Sequence, residues 1–283
     1  MPGPVALTRL AAPRQSPAPP PSRPVPGTAG VGPVERLGRR LQALAREDPQ
    51  RYAVCALSAG TLRDPGWQAV TGVLPAMLGG SGDHLRVSPA VAGARIAGSL
   101  GYAVAGRLAV ALAVSGQAYD AGPDSLMVHL DDEGLIDRVG VRNPVVVTAA
   151  AIAPWPGPVA RFVDLAAVIA WAADRTLTTL APLIDELQAR THYGRMPMWN
   201  LVADAVLSPV TLAPQPPGTD PGAGRAAGSA FLDALVDRGA PISRRGTLRP
   251  SGTGEPIPVR GSCCLYYRQD QQKCDSCPLT RTR

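Results

Sequence analysis

Lysine is almost missing from this 283-residue sequence: Lys273 is the only one, so arginine carries the formal charge of +6. Alongside so much Ala, Gly and Pro, that bias is the mark of a GC-rich coding sequence, and it removes the usual step from basicity to nucleic acid. No nucleic-acid partner is expected. Long apolar runs are also lacking. The nearest, "LAVALAV" after Arg107 and "LAAVIAWAA" between Asp164 and Asp174, fall short of the roughly 18 to 20 residues of a membrane span, so no transmembrane segment is expected. The start of the chain has no apolar core of a secretory signal. A cytoplasmic location is the expectation, and there thiols stay reduced. Phosphate-cradling motifs are absent: "GTAGVG" at 27–32 has no strand before it and no Lys-Ser/Thr pair after it, and reads as flexible linker.

A hydrophobic content of 45% is enough to bury a sizeable core. Three regions are expected: a disordered Pro-rich segment at 1–33, a helical and β-hairpin platform at 34–240, and a loop-rich C-terminal segment at 241–283. Helical periodicity begins with Leu37, Leu41 and Leu44, and a second helix is expected over Trp67 to Leu78. "SPAV" predicts a helix start, with Ser88 capping and Pro89 in the first turn. Ile96, Leu100, Val104, Leu108 and Leu112 then continue as a long buried helix whose glycines permit close packing. A period of two over Leu126, Val128 and Leu130, with a turn at Asp131, Asp132, Glu133 and Gly134, predicts a β-hairpin with a third strand at 144–149. After "APWPGP" comes an amphipathic stretch from Phe162 to Leu187, which Pro182 should kink or split. A helix opened by Pro197 carries Trp199, Val202, Ala203 and Val206 and should stop at Ser208-Pro209. Beyond the linker "APQPPGTDPGAG" a last helix holds Phe231, Leu235 and Val236, with Gly239 and Pro241 ending it. The fold class is α+β: mostly helical, with one small antiparallel hairpin sheet and a C-terminal loop-rich segment.

Thiols are scarce over most of the chain and then crowd. Cys55 stands alone in "RYAVCALSAG" and reads as a packing residue. The other four, Cys263, Cys264, Cys274 and Cys277, fall within fifteen residues as "SCCLYYRQDQQKCDSC". They can share one centre if the polar loop between the pairs folds back. Disulfides are disfavoured by the compartment, and a vicinal pair bridges poorly. A structural zinc site with four cysteine ligands is an open alternative, although such sites usually place two to four residues within each pair. A [2Fe-2S] cluster takes four thiolates, and the segment supplies four.

"RGSCCLYYR" followed by "CDSCPL" resembles the C-terminal signature of the FhuF-type ferric siderophore reductases, and "RMPMWNLVADAV" resembles that family's Trp-containing helix. The similarity spans roughly residues 35–283. It implies that Cys263, Cys264, Cys274 and Cys277 ligate a [2Fe-2S] cluster, that the substrate is a ferric siderophore reduced by one electron to release Fe(II), and that a ferredoxin or flavin reductase donates the electron. One departure is visible: the family usually has ten residues between the second and third cysteines, and here there are nine. A redox carrier or iron sensor using the same cluster is the alternative function, and the zinc module a second.

Arg260, Arg268, Lys273, Arg281 and Arg283 outnumber Asp270 and Asp275 around the cysteines, and such charge favours the more negative, reduced cluster. Arg95 and Arg107 interrupt an apolar helix and are candidates to face a siderophore cavity. Tyr266 and Tyr267 either shield the cluster or pack against the helical domain. His84 in a loop, His129 on the outer face of a strand and His192 near a helix end share no metal-ligand spacing. Surface or capping roles are expected for all three.

Overall fold

The computed structural model describes residues 37–39, 43, 62, 65–85, 87–142, 145–149, 159–162, 164–212, 222–249, 257–270, 272–274 and 276–280. The 1–33 lead, Leu41 and Leu44, Cys55, "APWPGP", most of the 213–224 linker, Asp275, Arg281 and Arg283 lie outside the described residues. Leu37, the first residue of the expected helical stripe within them, is helical and fully buried.

The architecture is α+β, as the periodicities indicate. Its centre is one continuous helical rod made of α2 (Pro89–Leu100), a π-helical segment (Gly101–Gly106) and α3 (Arg107–Ser115). Pro89 does open it, but the Ser88 side chain makes no capping hydrogen bond; the Ser88 carbonyl takes the first amides instead. The rod is long and apolar enough to cross a membrane, with a mean hydropathy of 1.5 over its best window, which the runs quoted above do not reveal. That window is 78% buried inside the protein, as befits a core helix.

α4 (Leu165–Thr191), α5 (Arg195–Leu212) and α6 (Ala223–Asp237) pack around the rod. The Asp164 side chain caps α4 by accepting from the Ala167 amide at 2.8 Å, and His192 ends it in the left-handed region. Pro182 neither splits α4 nor ends it, and Pro209 lies inside α5, which runs on to Leu212. A proline inside a helix costs about 3 kcal/mol. Burial of Leu180, Leu183, Ile184 and Leu187 around one of them, and of Val206, Leu207 and Val210 around the other, offsets that cost. The last long helix stops as expected, with Gly239 at φ +96.

α5 crosses the π segment at very close range. A Cβ on Gly106 would stand 2.6 Å from the Ala205 carbonyl oxygen, a backbone atom that cannot swing aside. Gly106→Ala is therefore expected to lower stability by about 1–3 kcal/mol through overpacking, visible as a fall in Tm. A Tm equal to that of the wild type would show that the two helices do not meet as described.

The strands form more than the one sheet expected. β1 (Gln68–Ala69) pairs with β3 (Leu126–Leu130), which pairs with β4 (Ile136–Val141), in the order β1-β3-β4. The helix expected from Trp67 is thus a short strand and a 3-10 turn (Val70–Gly72), and α1 (Leu74–Leu85) begins only beyond them; His84 falls in it rather than in a loop. The third strand exists as β5 (Val146–Ala149), but it leaves the hairpin to pair with β2 (Gln117–Tyr119) and, in parallel, with β6 (Val159–Phe162). The C-terminal region is not all loop either, since β7 (Thr247–Arg249) and β8 (Ile257–Val259) form a two-stranded antiparallel ribbon.

Candidate functional site

The site is built on one face of α5. Asn200 and Asp204 stand one helical turn apart, an i, i+4 spacing that aims both side chains the same way. The Asn200 Oδ1 accepts from the Ser243 amide at 2.9 Å and the Arg244 amide at 3.0 Å. Its Nδ2 donates to the Ser243 Oγ. Asp204, 3% exposed, accepts from the Gly261 amide at 2.7 Å, the Ser262 amide at 3.1 Å and the Ser262 hydroxyl at 2.8 Å. These bonds fasten both sides of the β7–β8 ribbon to the helical core, immediately ahead of the first cysteine.

Burial pushes the Asp204 carboxyl above the ordinary carboxylate range, while the Gly261 and Ser262 donors and the nearby Arg260 guanidinium pull it down. Close packing explains the glycine of "RGSCC". A Cβ on Gly261 would lie 2.8 Å from the Arg245 carbonyl carbon and 3.0 Å from the Arg244 one. Trp199, the more conspicuous residue of the same helix, is fully buried core.

From Ser262 the chain enters the vicinal pair. The Tyr193 hydroxyl donates to the Cys263 carbonyl at 3.1 Å, and the Leu265 amide donates to the Cys263 Sγ at 3.4 Å. Leu265 takes φ +59, unusual for a branched residue, and its side chain packs against the core, which holds the turn in place. Burial, then the Cys263 and Cys264 thiols and Asp204, push the Tyr193 hydroxyl up to about 12. Its folded value is raised, so its contribution to stability is complete below the ordinary 10.0 and disappears as pH climbs through about 12.

Among the described residues, the backbone bond that brings the second pair to the first runs from the Arg260 amide to the Ser276 carbonyl at 2.9 Å. The Cys277 amide closes the Cys-Asp-Ser-Cys turn onto the Cys274 carbonyl at 2.9 Å. Cys277 is buried, Cys263 and Cys264 are half-buried and Cys274 is exposed. Burial raises the Cys263 thiol above its ordinary value, against the Leu265 amide, and the other three thiols push the same way.

All four cysteines line one cavity of about 360 Å³. The opposite wall comes from α2 and the π segment through Arg95, Ser99 and Tyr102, and Tyr266 and Lys273 complete the rim. Burial would lower the Arg260 guanidinium, yet Tyr102, Cys264, Cys274 and Asp204 hold it above its ordinary value. The cavity thus contains a positive charge set against the thiols.

The structure separates the two candidate arginines. Arg95 lines the cavity, whereas Arg107 is buried and donates to the Asp137 carbonyl at 3.2 Å on the hairpin. Tyr266 and Tyr267 both line the cavity, and Tyr266 is 42% exposed. His129 bonds Asp137 at 2.9 Å, and His192 is the exposed C-cap of α4; neither lies at the cavity. Asp131 builds its own turn by accepting from the Glu133 and Leu135 amides.

The donor set suits an iron–sulfur cluster: four free thiols around one space, with no histidine or carboxylate lining it among the described residues. As placed, no three His, Cys, Asp or Glu side chains among those residues are gathered around a single point that could hold one ion.

Residues 260–279 match the family model of the FhuF 2Fe-2S C-terminal domain. The matched stretch contains all four clustered cysteines, and the cofactor that this match indicates is a [2Fe-2S] cluster. No curated protein matches the chain. The match covers residues 260–279 and does not test the wider resemblance expected over residues 35–283.

Proposed function

We propose that the protein is a cytoplasmic ferric siderophore reductase in which Cys263, Cys264, Cys274 and Cys277 hold the cluster and residues 34–240 form the substrate platform. The observation that carries the reading is that the four thiols share one cavity with a cationic and aromatic wall from α2 and the π segment. A redox centre and a place for its reaction partner therefore adjoin.

The bound cluster supplies a one-electron relay between an external donor, a ferredoxin or flavin reductase, and the ferric chelate. Hard oxygen donors hold Fe(III) far more tightly than Fe(II), so one added electron loosens the metal. The protein's own residues do the rest. Asn200 and Asp204 fix the segment that carries the first two thiols. Tyr102, Tyr266 and Tyr267 narrow the cavity and limit water, and Arg260 offers positive charge that favours the more negative reduced state. Cys274 is exposed and gives an electron donor an edge to approach.

The test is a single turnover. Anaerobically reduced protein is mixed with a ferric trihydroxamate and an Fe(II) trap, and reoxidation is followed in the visible spectrum. Reoxidation matched by trapped Fe(II) is the expected result. A protein that reduces and reoxidises with other acceptors but leaves every ferric chelate untouched is a carrier or sensor instead.

A further inference from the structure

Among the described residues that line the cavity, Arg95 is the one whose hydrogen bonding is left incomplete in a way that points to a ligand. Its side chain is 8% exposed, it lines the cavity from α2, and its Nη2 donates to the Glu133 Oε2 at 3.0 Å. Its Nη1 is buried with no hydrogen-bond partner among the described residues. The guanidinium also sits over the Tyr266 ring, 5.6 Å from the centroid, so both its neighbours fix it in place. A buried guanidinium donor left unpaired is costly, and native structures rarely tolerate one without a purpose.

The surroundings say what would pair with it. Arg95, Arg260 and Lys273 bring three positive groups to the cavity, and no carboxylate lines it among the described residues. Arg260 lies beside Cys264 and Cys274, so its charge is set against the cluster. Arg95 is held on the other wall, with the exposed Glu133 as its one anionic partner among the described residues, and that partner takes Nη2. A planar, rigid guanidinium with a spare donor is suited to an anionic oxygen such as a carboxylate.

We infer that Arg95 grips an anionic oxygen of the bound chelate, so that the site prefers negatively charged ferric complexes, those with a free carboxylate beside the metal-binding groups, over cationic ones. This rests on the ferric-chelate reading above. Arg95 is a binding residue here; the electron does not pass through it.

The test measures binding without electron transfer, using gallium(III) as a redox-inert stand-in for Fe(III). One linear trihydroxamate is prepared with its terminal amine free, acetylated or succinylated, giving cationic, neutral and anionic gallium complexes with the same metal coordination. Equilibrium dialysis against the full chain, carrying its cluster, should show affinity rising about tenfold or more from the cationic to the anionic complex. In Arg95→Gln that preference should collapse, and Arg95→Lys should restore part of it, while the visible spectrum of the cluster stays unchanged. Should Arg95→Gln fail to fold, the wild-type series and Arg95→Lys still decide. Equal binding of the three complexes, or an undiminished preference in a folded Arg95→Gln, overturns the assignment and leaves the reductase reading standing. No binding of any of the three overturns both.

Discussion

Replacing Cys264 with serine is expected to reduce the iron content from about two atoms per chain to a small fraction of that and to abolish the visible absorption, with little loss of folded structure. A serine hydroxyl stays protonated at neutral pH and is a hard, weak donor to iron, so one corner of the set is lost. The remaining three thiols cannot complete two pairs. The fold should survive because most of its core is elsewhere: Trp199, Phe231, Leu100 and Leu108 are fully buried, and Cys264 only packs, half-buried, against the edge of that core. Iron analysis alongside far-UV circular dichroism checks both halves. Full iron occupancy in Cys264→Ser would remove that residue from the ligand set, and Cys263→Ser, Cys274→Ser and Cys277→Ser extend the same test to the other three.

Asp204→Asn should weaken the site without touching a thiol. The carboxylate accepts three hydrogen bonds through two oxygens, and the amide offers one oxygen and one donor, which must face an N–H or O–H already pointing at it. Hydrogen bonds to a charged group are worth about 1.5–3 kcal/mol, and an unsatisfied buried donor adds to the loss. That cost falls on the attachment of residues 261–262 to α5, so cluster loss at a fixed temperature should speed up by about tenfold to a hundredfold. The helical core, fastened by its own packing, should melt at nearly the wild-type temperature. A coordinated collapse of both would show that the segment and the core unfold as one unit.

What could be read from the amino acids alone follows the range of the interactions involved. The Pro89 helix start, the Asp131 turn and the Gly239 stop are local patterns, and each stands where its chemistry demands; the cysteine cluster is local too, and its four thiols line one cavity. β5 misled because strand pairing is long-range: Val146 meets Tyr119 on one side and Val159 on the other, and nothing within residues 144–149 names those partners. Pro209 misled for the opposite reason, since a strong local rule lost to packing, and Pro182 does not split its helix.

Arg95 and Arg107 looked equivalent as charges in one apolar helix. A π-helical segment, Gly101–Gly106, lies between them, so the 3.6-residue period does not set their relative facing, and only Arg95 lines the cavity. Asn200 and Asp204 are less conspicuous in the sequence than their neighbour Trp199. The available signal was a polar pair at helical spacing on an otherwise apolar helix, which marks a buried attachment whose partners, at 243–244 and 261–262, lie far along the chain.

The most direct test of the account is a reductive titration of the anaerobically purified full chain, counted against its iron and zinc. The account predicts about two irons per chain, no stoichiometric zinc, and uptake of one electron per chain with bleaching of the visible bands. One zinc per chain with no electron uptake would contradict it.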